Sequence, residues 1–208
     1  MSFDFAAARL TMIDSQVRTN DVPDFSIQTA MGAAPREILV PAGRDYLAYA
    51  DCEIEWSPGY YLLSPRDIAK LLHSVSPKSG ERALAVAGPY AALVLARLGL
   101  AVTLQLPEGP ALDSARTALK AEPVAIASGD LSVPAGGGYD VILVEGAVTK
   151  APDAWIAALA DGGRLAVIER DGPIGKATVY LKGASPRVAF DATPHLIPGF
   201  ERKAAFAF

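Results

Sequence analysis

Four side chains have the type and setting to do chemistry: Glu145, Asp130, Glu108 and Ser64. Glu145 closes Val141-Ile142-Leu143-Val144, a continuous apolar run such as a parallel strand buried on both faces shows. An unpaired carboxylate is costly to bury there, which favours a functional role over helix capping. Asp130 follows Gly129 after a strand-like run over 124–127. It suits either accepting from an adenine amine or bonding its own backbone in a turn. Glu108 stands two residues past Leu106, where a strand that meets a ribose would end in an acid; a solvated loop glutamate is the better reading. Ser64 precedes Pro65 and Asp67 and reads as a helix cap. Cys52 is the single cysteine, and His73 and His195 lie far apart, so neither an internal disulfide nor a metal site is expected.

These residues need elements to position them. The stretch 81–87 reads as a strand and 90–98 as a helix, joined only by Gly88-Pro89. A strand, a tight glycine turn and a helix open a nucleotide- or cofactor-binding α/β unit, where the loop backbone approaches the ligand. Further strands are expected over 101–106, 124–127, 139–145 and 164–169, with helices over 111–120 and 152–160. Three strand-like runs, 177–182, 187–190 and 203–208, suggest an antiparallel finish. Ahead of the sheet lie helices over 6–17 and after Asp24 or Ser26, and a short turn from Pro35-Arg36-Glu37. Then comes a loop rich in aromatics: Tyr46, Tyr49, Trp56, Tyr60 and Tyr61. These rings offer a binding surface, or they cover the core edge.

The expected fold is α/β: a doubly wound, Rossmann-like, seven-stranded sheet, mainly parallel with an antiparallel edge, plus N-terminal helices. One domain over 1–208 is expected, with 1–80 the helical and aromatic extension and 81–208 the core. Its ligand crevice lies beyond the strand ends, at Ala87-Gly88-Pro89, Leu106-Pro107-Glu108, Gly129-Asp130 and Glu145-Gly146-Ala147. A net charge of −4 with no basic stretch argues against a nucleic-acid partner. The most apolar run, 90–106, is broken by Arg97 and Gly99, so no membrane span is expected, and the default location is the cytoplasm.

On these residues the chain resembles the protein-L-isoaspartate O-methyltransferase family from about residue 12 to 170. The resemblance rests on Ala34-Pro35-Arg36-Glu37-Ile38-Leu39-Val40, the aromatic stretch entering Leu63-Ser64-Pro65, Tyr139-Asp140 through Gly146-Ala147, and Leu159-Ala160-Asp161-Gly162-Gly163. It implies S-adenosylmethionine as cofactor and methyl transfer to an isoaspartyl carboxylate of a protein or peptide. Alignment of oxygen, methyl and sulfur carries most of such a catalysis. It further implies Ala87, Gly88, Tyr90, Glu108, Gly129, Asp130 and Glu145 on the cofactor side. Trp56, Tyr60, Tyr61 and Leu63 fall on the substrate side, with Ser64 the catalytic candidate.

The chain departs from the family pattern at two places. The glycine motif after the first strand is about two residues shorter, and the acid that would end the second strand falls on Leu106. Both departures predict weakened or lost cofactor binding. Two readings therefore stay open: a methyltransferase acting on isoaspartyl or related carboxylates, and a catalytically inactive methyltransferase fold serving as a binding or regulatory module. A nicotinamide-dependent enzyme is a weaker third, since Gly-x-Gly-x-x-Gly is missing.

Overall fold

The structure is a computed structural model that describes residues 3–201. Helix α1 (Phe5–Met12) starts where Asp4 accepts from the Ala7 amide, and it runs on into one π turn, Ile13–Val17. Asp24 caps α2 (Phe25–Ala33) through the Ser26 and Ile27 amides. Arg36–Leu39 forms a short 3-10 turn. The aromatic stretch, expected as a loop, contains an antiparallel hairpin of β1 (Ile54–Ser57) and β2 (Tyr60–Leu62). Gly59, at φ +76°, makes the reversal that Pro58-Gly59 allows. Helix α3 (Pro65–Val75) follows its cap, with Ser64 Oγ accepting from the Asp67 amide at 3.2 Å.

The core then alternates: β3 (Arg82–Val86), α4 (Pro89–Arg97), β4 (Ala101–Leu106), α5 (Pro110–Ala118), β5 (Val124–Ser128), β6 (Tyr139–Val148), α6 (Asp153–Ala157) and β7 (Leu159–Glu169). The antiparallel β8 (Gly175–Leu181) and β9 (Arg187–Ala192) complete the seven-stranded sheet, in the order β5-β4-β3-β6-β7-β8-β9. The expected run 203–208 lies outside the described residues. The helix expected over 152–160 is shorter because Leu159 already pairs with Tyr139 in the sheet.

Strand side chains alternate between two packing layers. Ala83, Ala85, Val141 and Leu143 meet α3, α4 and the N-terminal helices, while Leu84, Val86, Ile142 and Val144 meet Trp155 of α6 and Leu131. Strand order reverses between β3 and β6, which directs attention to the ends of those two strands. Among the described residues no helix is long and apolar enough to cross a membrane, and no group of His, Cys, Asp and Glu is arranged to hold a metal.

Candidate functional site

Strand β6 was expected to end at Glu145, but it continues to Val148. Its register with β7 shifts on the way: Leu143 pairs with Ala166 and Ala147 with Ile168, so Val144, Glu145 and Gly146 stand opposite Val167 alone. Such a bulge re-aims side chains. It holds Glu145 across the end of β3, 2% exposed. The carboxylate accepts from the Leu63 amide at 3.2 Å through Oε1 and from the Ala91 amide at 3.0 Å through Oε2. Helix α4 has Pro89 in its first turn and Gly88 at its N-cap, with no side-chain cap of its own, so Glu145 supplies that cap from another strand. Burial pushes the Glu145 carboxyl up to about 7, against the pull of the Ala91 amide, Arg36 and the Leu63 amide.

Gly88 is needed here for a reason internal to the protein. A Cβ on it would lie 2.6 Å from Glu145 Cβ and 2.9 Å from Oε2. Ala87 before it is a non-glycine residue held at φ +56°. Tyr90 is fully buried, and its ring lies beneath the Arg36 guanidinium at 4.8 Å. Arg36 is itself 0% exposed, and its Nη2 donates to the Leu63 carbonyl at 2.6 Å, while Nε and Nη1 have no partner among the described residues. Burial lowers the Arg36 pKa, opposed by Tyr90 and Glu145. Both backbone groups of Leu63, the residue before Ser64, are thus held by buried ionisable side chains. Ala87, Gly88, Tyr90, Leu63 and Glu145 stand together as one cluster.

The other strand-end residues are differently placed. Glu108 and Asp130 are exposed, and Asp130 Oδ1 accepts from the amide and hydroxyl of Ser132 in a local turn. Leu106 is buried. Gln105 beside it, which no sequence signal singled out, donates to the Asp130 and Val133 carbonyls and accepts from the Ala135 amide. It therefore draws the segment after Gly129 over the end of the sheet, where Leu131 is buried and its carbonyl accepts from Trp155 Nε1.

The aromatic residues divide. Tyr46 is exposed and Tyr49 buried, its hydroxyl donating to Glu37 and accepting from Arg9 Nε. Burial and Glu37 raise the Tyr49 phenol to about 12. Trp56 is buried and lines a cavity of about 440 Å³ with Leu39, Pro41 and Asp113. Tyr60 is half-buried against Trp56, while Tyr61 stacks on the His195 ring at 3.9 Å. His195 Nδ1 lies 2.9 Å from Glu53 Oε2, a contact between residues far apart in sequence with no local signature.

The reversal of strand order, the glycine turn after β3 and the antiparallel edge define the class as the Rossmann-like methyltransferase fold. The chain matches a structure described as a protein-L-isoaspartate O-methyltransferase from Plasmodium falciparum, in complex with S-adenosyl-L-homocysteine. The TM-score is 0.78 at 16% identity, over 91% of this chain and 97% of that one. In sequence it is 32% identical to a protein-L-isoaspartate O-methyltransferase of Methylorubrum populi, over 86% of this chain and 87% of the relative. It is 34% identical to protein-L-isoaspartate O-methyltransferase 1 of Rhodopseudomonas palustris, over 77% of this chain and 69% of the relative. The model of the family Protein-L-isoaspartate(D-aspartate) O-methyltransferase matches residues 9–185. The chain belongs to this family.

Proposed function

We propose that the protein works in the chemistry of its family: S-adenosylmethionine-dependent methyl transfer to the carboxylate of an isoaspartyl residue in a protein or peptide. The observation that carries this reading is the clamp on Leu63. Arg36, from the Pro-Arg-Glu segment, takes its carbonyl, and Glu145, at the strand end, takes its amide. This couples the segment leading to Ser64 to the first turn of α4. In this reading Ala87, Gly88, Tyr90, Glu108, Gly129, Asp130 and Glu145 form the cofactor side, and Trp56, Tyr60, Tyr61 and Leu63 the substrate side. Ser64 is the catalytic candidate, although its Oγ already serves the Asp67 amide. We place the protein in the cytoplasm.

Glu145 packs so closely on Gly88 that no side chain fits between this turn and the strand end. The second reading rests on the shortened glycine turn and on Leu106 at the end of β4: a catalytically inactive methyltransferase fold serving as a binding or regulatory module, here for an isoaspartyl-bearing peptide. The test is transfer of labelled methyl from S-adenosylmethionine to an isoaspartyl peptide, with the aspartyl peptide as control. Base-labile label on the isoaspartyl peptide supports the first reading. No label, with saturable anisotropy of a fluorescent isoaspartyl peptide, replaces it with the second.

A further inference from the structure

We infer that the cavity beside Trp56 is a subsite for the polypeptide substrate: it takes an apolar side chain that stands about three residues from the isoaspartyl residue. The inference rests on the methyltransferase reading above and adds a sequence preference to it.

Three segments wall the cavity. The turn Arg36–Leu39 is held from within, Arg36 by the Leu63 carbonyl and Glu37 by Arg9 Nη2 at 2.9 Å. Ile38, Val40 and Pro41 then form one wall, with Ile38 left 38% exposed. Ala115 and Ala118 of α5 form the second wall, and Trp56 of β1 the third. The small side chains on α5 keep the space open, and its volume of about 440 Å³ suits a small-ligand site.

The apolar walls suit a hydrophobic side chain, and two polar groups narrow the choice of occupant. A second cavity of about 230 Å³, lined in part by Ser57, adjoins the first at Pro41 and Trp56. Trp56 Nε1 and Ser57 Oγ are buried without a hydrogen-bond partner among the described residues. A buried polar group left alone carries its full desolvation penalty. A polypeptide lying across both cavities brings carbonyl oxygens for these two donors together with a side chain for the apolar walls. A hydrocarbon ligand brings only the second. Position ties the cavity to the site. Strand β1 carries Trp56, and β2 paired with it runs into Leu63-Ser64. Crossing one strand spacing and following β2 to Ser64 covers roughly 10 Å, about three residues of extended chain.

The experiment uses isoaspartyl peptides that carry one phenylalanine at successive positions on either side of the isoaspartyl residue and alanine elsewhere. Methyl transfer from S-adenosylmethionine is measured on each, for the wild type and for Thr117→Trp, whose ring closes the cavity from an exposed position of α5. A phenylalanine about two to four residues from the isoaspartyl residue is expected to lower KM by about 10-fold or more against the all-alanine peptide. Thr117→Trp is expected to abolish that difference. A wild type that shows no such position overturns the inference, and so does a preference that persists in a folded Thr117→Trp.

If no peptide is methylated, the methyltransferase reading fails, and the cavity is tested by binding alone. Anisotropy of the same peptides, fluorescently labelled, should still show saturable binding that one phenylalanine position strengthens and Thr117→Trp weakens. Equal binding of all peptides, or no binding, overturns the inference. A dimer of the chain that Thr117→Trp breaks and the peptides leave intact also overturns it, by giving the cavity to a second copy.

Discussion

Arg164 on β7 and Glu81 ahead of β3 are joined by two parallel hydrogen bonds, Nη1 to Oε1 at 2.8 Å and Nη2 to Oε2 at 2.9 Å. The same guanidinium donates to the carbonyls of Val75 and Ser76 at the end of α3, and to Asp140 on β6. One planar fork thus closes a helix and ties three segments at the end of the sheet away from Gly88. Arg164→Ala should cost about 3 kcal/mol in urea unfolding, and Arg164→Lys should recover less than half, because an ammonium cannot reproduce the fork. Burial raises the Glu81 carboxyl, but its bond to Arg164 and the Lys78 amide outweigh this, so its pKa is lowered. Its share of stability is therefore present above the ordinary value of 4.5 and is lost as pH falls through the lower folded value.

Ser64→Ala should destabilise the chain by about 1 kcal/mol, through the lost cap on α3. Methyl transfer, measured on an isoaspartyl peptide, should largely survive. Loss of transfer at an unchanged melting temperature would make Ser64 a catalytic residue instead.

The pH course of stability reports on Glu145. Its folded carboxyl sits at about 7 against an ordinary 4.5, so the folded chain holds this proton more tightly than the unfolded one. The contribution is full below 4.5, declines as pH rises towards about 7, and is flat above. Glu145→Gln should abolish that decline, so urea midpoints of variant and wild type should diverge in the variant's favour across this window. Parallel midpoints would mean that the carboxylate is charged throughout.

Arg36→Met should cost about 3–5 kcal/mol, since it strips Glu145 of its nearby cation and the Leu63 carbonyl of its donor. Adding Glu145→Gln should return part of that loss, because the uncompensated buried charge is gone. A double variant as unstable as the sum of the two single changes would show that Arg36 and Glu145 act independently.

Much of this architecture is legible in the chain. Asp24 and Ser64 announce their helices because a cap is a local contract between a side chain and the next few amides. The apolar run 141–144 marks a central strand for an equally local reason. What escapes is whatever depends on the partner strand. The bulge at Glu145 exists only in the offset between β6 and β7, and no residue type encodes that offset. Gly88 reads as an ordinary tight turn or as close backbone approach to a ligand, yet the atoms packed against it belong to another strand. Arg36 enters the sequence reading only within the Pro-Arg-Glu segment, and only the fold shows it buried on Tyr90. The hairpin of β1 and β2 was hidden because four- and three-residue strands are too short for their alternation to stand out.

The cluster around Glu145 also bears on how the chain is tied together. Its contacts join residues distant in sequence: Ala91 to Glu145 spans 54 residues and Leu63 to Glu145 spans 82. The central strand pairing itself, Ala83 with Val141, joins residues just as far apart. The contacts of Glu145 are therefore non-local ones, whose loop-closure entropy is spent with the assembly of the sheet and not within any one hairpin. One buried carboxylate thus fastens the hairpin side of the chain and the first helix of the core to the middle of the sheet.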